Sequence, residues 1–247
     1  MTAPKTAQNV AIVTGGSTGI GWEICRQMLG AGYEVVSLAR RRPPQSHAKL
    51  QAVEVDLTDA AATAQAAADV ASRFAVTHVV HNAGVVRPAL LPDVALDDLQ
   101  ALSQLHLGAA IALVQAVLPA MKKNRFGRIV LMSSRGALGL ATRTAYAATK
   151  AGMVGMARTW ALELAGDGIT VNVVAPGPIS DTEMFRNIVP ENSEREKALA
   201  AAIPVQRLGQ SDDVARAVMF FCDRANGFVT GQTLYVCGGA SLGTIVI

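Results

Sequence analysis

A chain of 247 residues is long enough for one large domain or two small ones, and either could bury a sizeable core. Hydrophobic residues make up 51% of it and charged residues 17%, a composition typical of folded globular proteins rather than disordered ones. The net charge of +3 is too small, and Lys and Arg are too scattered, to indicate a nucleic-acid-binding protein.

The cysteines and the hydropathy pattern bear on compartment and partners. Cys25, Cys222 and Cys237 are odd in number and far apart, so they predict neither a disulfide framework nor a metal site. Residues 1–9 contain no apolar signal core, and no run approaches the roughly 18 consecutive apolar residues of a membrane-spanning helix. We therefore expect a cytoplasmic protein with no membrane, nucleic-acid or metal partner.

Short apolar, β-branched runs alternate with longer helical stretches along the chain. In order, the patterns predict a strand at 9–14, a helix at 20–32, strands at 33–39 and 53–57, a helix at 59–74, a strand and turn at 77–84, a helix at 96–123, a strand at 127–134, a helix at 144–166, a strand and turn at 169–177, a helix at 212–223 and a strand at 232–239. Continuous apolar strands separated by helices indicate a parallel sheet covered on both faces.

This alternation predicts a single doubly wound α/β domain over residues 1–247, with a mostly parallel central sheet and helices on both faces. The strand order stays open. The stretch at 178–210 is polar and irregular, and it is rich in Glu, Arg and Pro. We expect a mobile segment there, on the substrate side of a site.

A glycine-rich turn, TGGSTGIG at 14–21, follows the first strand and opens the first helix. Gly15 permits a sharp turn, Gly19 lets the backbone approach a pyrophosphate closely, and Gly21 permits close packing of the helix. The helix would then offer its unpaired N–H groups and its positive dipole end to the phosphates. The spacing is not that of the general G-x-G-x-x-G fingerprint, so a glycine-rich turn without a ligand is the alternative.

The segment YAATK at 146–150 places Tyr146 and Lys150 four residues apart. On a helix the two side chains share one face, so an ammonium would stand beside a phenol. A positive charge there favours the phenolate and lowers the pKa of the tyrosine from about 10, which suits proton transfer near neutral pH. The spacing alone is a weak signal, since an ordinary half-buried helix can carry the same pair.

Five segments together resemble the short-chain dehydrogenase/reductase family: TGGSTGIG at 14–21, HNAG at 81–84, SSRG at 133–136, YAATK at 146–150 and APGPI at 175–179. They come in the family's order and spacing over nearly the whole chain, which looks like a carbonyl reductase or 3-oxoacyl-ACP reductase. The resemblance implies a Rossmann-like fold, a nicotinamide cofactor and a small-molecule carbonyl or alcohol substrate. It also implies a homo-oligomer, a homotetramer or dimer, which we expect to associate through the helices at 100–122 and 146–166.

The end of the second strand bears on the choice of cofactor. Members of the family that use NAD carry an acid there to hold the ribose hydroxyls, whereas this chain has Ala39 followed by Arg40 and Arg41. A small residue leaves room for a 2′-phosphate, and a guanidinium binds it with paired charged hydrogen bonds. We therefore expect NADP(H), held mainly by Arg40 with help from Arg41. A solvated basic turn is the alternative, and Thr18 stands where a basic residue would strengthen the prediction.

The resemblance implies further cofactor contacts from several segments. Asp56 is expected at the adenine amine, with a turn residue at a strand end as the other interpretation. Thr182 stands one place later than the family's threonine at the nicotinamide amide, so its role is open, and Ile179 is expected to contact that amide through its backbone. The full expected set is Gly15, Ser17, Thr18, Gly19, Ile20, Gly21, Arg40, Arg41, Asp56, Leu57, Asn82, Ala83, Gly84, Tyr146, Lys150, Pro176, Gly177, Ile179 and Thr182.

The same family implies roles at the reacting carbonyl. Tyr146 would be the acid–base catalyst, and Lys150 would lower its pKa and hold the nicotinamide ribose. A serine that orients the substrate oxygen is also expected, and the separation of 13 residues from Tyr146 favours Ser133. Ser134 becomes the catalytic serine if the intervening loop is one residue shorter than usual.

His106 is the clearest departure from the family, which has an asparagine in the helix before the fifth strand. A neutral imidazole both donates and accepts hydrogen bonds, so His106 either takes over the proton relay of that asparagine or is simply a packed histidine. We interpret His81, beside the HNAG turn, as structural, and we expect His47 and His78 at the surface.

These features predict an enzyme, an NADPH-dependent carbonyl reductase that is reversible as an alcohol dehydrogenase. An NAD-dependent alcohol dehydrogenase is the alternative within the enzyme class, and the missing acid near position 39 disfavours it. A dinucleotide-binding protein without turnover is the other alternative, which only His106 favours. The loop at 85–88 and the segment at 178–210 are expected to set the choice of substrate, and their apolar or neutral character favours an uncharged ketone.

Overall fold

Seven parallel strands form one sheet, in the order β3-β2-β1-β4-β5-β6-β7. The computed structural model describes residues 9–242, so the predicted domain at 1–247 extends past the described range at 1–8 and 243–247. The strands are β1 (Val10–Thr14), β2 (Glu34–Ala39), β3 (Leu50–Glu54), β4 (His78–His81), β5 (Gly127–Met132), β6 (Ile169–Pro176) and β7 (Thr233–Val236).

Helices cover both faces of this sheet, which confirms the predicted doubly wound α/β fold. The helices are α1 (Gly19–Gly30), α2 (Ala60–Arg73), α3 (Leu96–Ser103), α4 (Ala109–Asn124), α5 (Thr144–Leu164), α6 (Glu183–Arg186), α7 (Glu194–Ala202) and α8 (Ser211–Cys222). On one face α1 and α8 pack together, and Ile24 and Val218 join the same buried cluster. On the other face α2, α4 and α5 bury Val70, Leu113 and Met153.

The middle strands are buried along their whole length because helices cover both of their faces. Every residue of β1, β4, β5 and β6 is buried. The chain winds outward from β1 to β3 in one direction and from β4 to β7 in the other. The carboxyl ends of β1 and β4 therefore flank the crevice at which open α/β sheets bind ligands.

Two predicted elements have different bounds in the structure. The third strand lies at Leu50–Glu54, earlier than the predicted 53–57, because its register with β2 ends at the pair of Ala39 and Glu54. The predicted helix at 96–123 is divided by a π-helical turn, Gln104–Gly108, between α3 and α4. A π turn inserts an extra residue into the helix, and such turns are frequent at functional sites.

The stretch at 178–210 is irregular only in part, because two short helices interrupt it. It contains α6 and α7, and the side chains of Thr182 and Ser193 cap their N-termini. Such capping stabilises short helices that have no buried face of their own, as is true of both. The movement of this segment over a site stays a prediction.

One helical stretch, Leu96–Asn124, is long and apolar enough to cross a membrane by length and composition alone. In the structure Leu113 and Met121 of this stretch are fully buried in the cluster under the sheet. Core helices of folded domains pass the same test, so the stretch is weak evidence for a membrane span.

His78 is buried, so its expected place at the surface was wrong. It lies on β4, which is flanked by β1 and β5 and covered on both faces. Its Nε2–H donates to the Cys222 carbonyl at 3.1 Å, and its ring packs edge-on against Tyr33 and Phe126. Burial lowers the pKa of His78 to about 4, so the ring is neutral. His47 is exposed, as expected.

Gly21 generates a prediction about stability. A Cβ added to it would stand 2.0 Å from the Gly15 carbonyl oxygen, whereas a Cβ on Gly30 of the same helix would meet nothing within 4 Å. We expect Gly21→Ala to lower the free energy of unfolding by about 3 kcal/mol or more, because backbone must move. The control Gly30→Ala should change it little or raise it by roughly 0.5–1 kcal/mol. Urea unfolding of both variants measures this, and equal midpoints would contradict the close packing of α1 on the turn.

Candidate functional site

The segments that carry the motifs meet at the carboxyl edge of the sheet. The glycine turn follows β1, Asn82 follows β4, Ser133 follows β5 and Gly177 follows β6. Because parallel strands all end at one edge, these segments border the same crevice. The site is therefore built from loops that the rigid sheet positions.

The glycine turn after β1 can cradle an anion. Gly15 and Gly19 have φ values of +66° and +50°, a region that glycine adopts without strain. Thr18 caps α1 without a side-chain hydrogen bond, and the Trp22 N–H is bonded to the Thr18 carbonyl. Earlier N–H groups therefore have no partner within the helix, and they lie at its positive end. The pyrophosphate of a dinucleotide fits such a turn.

The hydroxyl of Thr14, the last residue of β1, fixes the turn that follows β4. It accepts the N–H groups of Asn82 and Ala83, both at 2.9 Å, and the Asn82 amide donates to the Thr14 carbonyl at 3.1 Å. The hydroxyl proton is then left for Nδ1 of His81, at 3.1 Å. The Nε2–H of His81 donates to the carbonyl of Leu105 in the π turn, at 3.0 Å.

His81 is therefore a neutral, fully hydrogen-bonded bridge between the sheet and the π turn. Burial, and then the charge of Lys150, lower the pKa of His81 to about 3. Its partners are consistent with the structural interpretation.

At the end of β2 the three arginines differ in their partners. Arg41 is paired with the carboxylate of Glu183 on α6 at 2.8 Å, and Arg42 is paired with Glu54 at 2.6 Å. Arg40 forms no ion pair with any residue in the range 9–242. Arg40 is thus the available cation at this position, and Arg41 is already engaged.

Asp56 behaves as a turn residue. Its Oδ1 accepts the backbone N–H of Thr58 at 2.9 Å and the Thr58 hydroxyl at 2.7 Å. These bonds hold the pKa of Asp56 below its usual value. Both bonds use Oδ1, so Oδ2 can still meet a ligand amine, and both interpretations of Asp56 fit.

The geometry opposes the preference for Ser133 as the catalytic serine. Ser133 is buried, and its hydroxyl donates to the backbone carbonyl of Lys150 at 2.7 Å. The oxygen of Ser134 instead accepts the N–H of Gly136 at 3.0 Å, and a Cβ on Gly136 would stand 3.3 Å from this oxygen and 3.4 Å from the Tyr146 ring. Ser134 therefore lies beside the tyrosine, whereas the Ser133 hydroxyl is engaged by the backbone of Lys150.

Tyr146 and Lys150 lie on the same face of α5, as the spacing predicts. The ammonium nitrogen of Lys150 stands 5.7 Å from the centre of the Tyr146 ring and donates to the Met132 carbonyl at 2.7 Å. Burial lowers the pKa of Lys150 to about 7. Burial also raises the pKa of Tyr146, against the opposing effects of Ser134 and the Arg143 guanidinium. The expected lowering of the tyrosine pKa is therefore outweighed by burial in this structure.

His106 lies in the π turn, fully buried, with its ring edge-on to that of Tyr146 at 5.8 Å between centres. Its Nδ1 stands 2.8 Å from the hydroxyl of Thr149. Burial first, and then the charges of Lys150 and His81, hold the pKa of His106 far below its usual value. The ring is therefore neutral, and it can take part in hydrogen bonds only as a neutral imidazole, with one nitrogen donating and the other accepting.

The segment after β6 closes the crevice from the other side. Ile179 forms a bridge with Gly209, and Thr182 caps α6. A Cβ on Gly19 would stand 3.2 Å from the methyl group of Thr182, so this segment reaches the glycine turn. Gly177 packs against Cys237, which is buried.

Sequence reasoning missed four polar residues of the site. Thr149 lies inside YAATK, where only the spacing of the other residues was considered. Arg143 lies in the turn before α5, next to Thr142, whose φ of +65° is unusual for a β-branched residue. Glu54 reaches Arg42 from β3, and Glu183 reaches Arg41 from α6. No local sequence pattern predicts either contact.

Comparisons with known proteins agree with this geometry. A family model described as Enoyl-(Acyl carrier protein) reductase matches residues 15–241. The 3-oxoacyl-[acyl-carrier-protein] reductase of Salmonella typhimurium is 34% identical over 238 residues, 93% of this chain and 96% of that protein.

Two solved structures are similar over nearly their whole length. One, a short-chain dehydrogenase/reductase family protein, has a TM-score of 0.86 at 31% identity and covers 95% of this chain and 98% of its own. The other, a 3-oxoacyl (acyl-carrier-protein) reductase of Agrobacterium tumefaciens with NADP bound, has a TM-score of 0.86 at 28% identity and covers 93% of each chain. With its doubly wound sheet, glycine turn and Tyr146–Lys150 pair, this chain belongs to the short-chain dehydrogenase/reductase family.

Proposed function

We propose that this protein reduces a ketone to a secondary alcohol with NADPH and runs in reverse as an alcohol dehydrogenase. The observation that carries the proposal is that the Ser134 hydroxyl and the buried Tyr146 ring border the same position, that of a Cβ on Gly136, with Lys150 beside the same ring. The similarity to the Salmonella typhimurium 3-oxoacyl-[acyl-carrier-protein] reductase supports it.

The protein's own residues would bind the cofactor and handle the proton. NADPH, when bound, supplies the hydride. The first-turn N–H groups of α1 would hold its pyrophosphate, and Asn82, Ala83 and Gly84 would line it. Lys150 would hydrogen-bond its nicotinamide ribose. Ser134 would donate a hydrogen bond to the substrate oxygen and stabilise the negative charge that develops there.

Tyr146 would transfer its phenolic proton to that oxygen. In the direction of reduction the neutral phenol is the required form, and the raised pKa keeps the proton on Tyr146 until the substrate oxygen becomes basic. The cations near it, Arg143 and Lys150, stabilise the phenolate that remains. The same burial that disfavours charge in the free protein strengthens these interactions once water is excluded.

The choice of NADPH over NADH would depend on Arg40. Its guanidinium is free of ion pairs within the described range, and the acid opposite Ala39, Glu54, is neutralised by Arg42. A 2′-phosphate would therefore meet a cation that forms no ion pair, although the Asp56 carboxylate lies close enough to interact with it electrostatically. Arg41 would help only after release from Glu183.

The loops around the crevice would accept an apolar, uncharged ketone. Large apolar side chains are exposed on the segments that follow β4, β5 and β6. They are Leu90, Leu138, Leu140, Met184 and Ile188. An apolar substrate would cover part of this surface. The proposal also places the protein in the cytoplasm and includes movement of the segment at 178–210. It further includes a homotetramer or dimer that associates through the helices at 100–122 and 146–166.

The first experiment follows NADPH, then NADH, by absorbance with a panel of ketones, β-keto esters, diketones and quinones. We expect turnover with NADPH that Tyr146→Phe lowers by about 10²–10⁴-fold, because the proton donor is removed. The matched control, Tyr33→Phe, alters a buried tyrosine beside His78 and should leave the rate nearly unchanged. Firm NADPH binding without turnover of any carbonyl would favour the non-catalytic alternative.

The two serines give a second prediction. Ser134→Ala should lower kcat/KM about 10²-fold or more, because a hydrogen bond to the developing oxyanion is lost. Ser133→Ala should instead lower the free energy of unfolding by about 1 kcal/mol, since it removes a buried hydrogen bond to the Lys150 carbonyl, with little effect on kcat. Steady-state kinetics and urea unfolding measure both. The opposite pattern would restore Ser133 as the catalytic serine.

The pair of Arg41 and Glu183 gives a third prediction. Glu183→Gln removes the carboxylate that competes with a 2′-phosphate for Arg41, so NADPH should bind tighter by a factor of about two to five, with NADH unchanged. Glu194→Gln is the control, because it removes the same charge from an exposed pair on α7. Fluorescence titration gives both dissociation constants. Equal changes in the two variants would indicate a general charge effect only.

A further inference from the structure

The hydrogen bonds of Thr149 determine which nitrogen of His106 carries the proton. The Thr149 hydroxyl stands 3.0 Å from the carbonyl oxygen of Ala145 and 3.0 Å from that of Tyr146, and both oxygens can only accept. Its single proton is directed to these oxygens, so its lone pairs face the His106 ring. At 2.8 Å, Nδ1 of His106 must then be the donor.

The other nitrogen of His106 faces the catalytic lysine. No atom of residues 9–242 hydrogen-bonds Nε2, although it is fully buried. A Cβ added to Gly84 would stand 3.1 Å from this nitrogen and 3.3 Å from Nζ of Lys150, so both border the same small space. An N–H pointing at an ammonium is repelled and a lone pair is attracted, which independently favours a bare Nε2.

The other two buried histidines, His78 and His81, carry their proton on Nε2 instead of Nδ1. In His81 the Thr14 hydroxyl donates to Nδ1, and Nε2–H donates to the Leu105 carbonyl. In His78 the Nε2–H donates to the Cys222 carbonyl. His106 is thus the one histidine of these three whose proton is assigned to Nδ1.

We propose that Thr149 is a positioning residue that holds His106 as the Nδ1–H tautomer, so that Nε2 accepts a hydrogen bond from the Lys150 ammonium, directly or through one water molecule. The tautomer stands on hydrogen bonds alone, and its consequence for turnover rests on the proposed function. His106 then acts as an acceptor for Lys150 and supplies no proton itself.

The expected consequence is a lysine that stays charged at higher pH. Lys150 faces His106 from the π turn, His81 from β4 and Tyr146 from its own helix, and among the described residues no carboxylate offsets its burial. Met132 provides one acceptor, and Nε2 provides another. Hydrogen bonds to a charged donor favour the charged form, so loss of this acceptor favours neutral Lys150.

The test uses ¹⁵N NMR of the histidine rings in the full-length protein. We expect His106 protonated at Nδ1, with His78 and His81 protonated at Nε2 as internal controls. In Thr149→Val, which keeps the shape and removes the oxygen, the His106 proton should move to Nε2 in at least part of the molecules. Thr149→Ser should keep the wild-type tautomer. A proton on Nε2 of His106 in the wild type would overturn the proposal.

A pH profile of NADPH oxidation tests the link to Lys150. The alkaline limb should shift to lower pH by about one unit in Thr149→Val and return in Thr149→Ser. If the His106 tautomer changes but the alkaline limb of the pH profile does not, the proposed effect on the Lys150 pKa is overturned. A merely structural role of Thr149 would lower the rate without moving the alkaline limb. If Thr149→Val does not fold, Thr149→Ala takes its place. If the wild type turns over no carbonyl, the proposed function fails, and the NMR result still decides the tautomer.

Discussion

The hydroxyl of Thr14 connects the parts of this site more than any other single group. It accepts two backbone N–H groups from the turn after β4 and leaves its proton for His81. His81 in turn holds the carbonyl of Leu105, in the π turn that carries His106. A continuous set of hydrogen bonds therefore runs from the end of β1, beside the glycine turn, to the helix that faces Tyr146. Since Thr14, His81 and Leu105 are buried and hydrogen-bonded, this part of the arrangement is rigid.

A second constraint is the burial of charge around Tyr146. Burial lowers the pKa values of Lys150 and His106 and raises that of Tyr146, so all three groups favour their neutral forms. A site in this condition responds strongly to any charge that enters it, because little water is left to screen the interaction. Two groups near the phenol can carry positive charge: Arg143, in the turn before α5, and Lys150, on α5, in the fraction of molecules in which it is protonated.

The sequence predicted much of the fold because its signals are local. Strands buried on both faces need continuous apolar runs, and a βα turn that approaches a phosphate needs glycine, so β1, the glycine turn and α1 are readable from consecutive residues. The i, i+4 spacing of Tyr146 and Lys150 is readable for the same reason. The bounds of β3 were misjudged because pairing with β2, and not its own apolar content, decides where it begins.

What the sequence by itself determined, then, is the doubly wound class, the family and the positions of the glycine turn and the Tyr146–Lys150 pair. Only the tertiary structure distinguished the surroundings of the two adjacent serines, because neighbouring residues in extended backbone point in opposite directions. It also decided that Arg41 is engaged by Glu183 and that His78 is buried. The partner of His106 was also decided by the tertiary structure. Its hydrogen bond is with Thr149, far along the chain, and no local sequence pattern predicts a contact that forms only on folding.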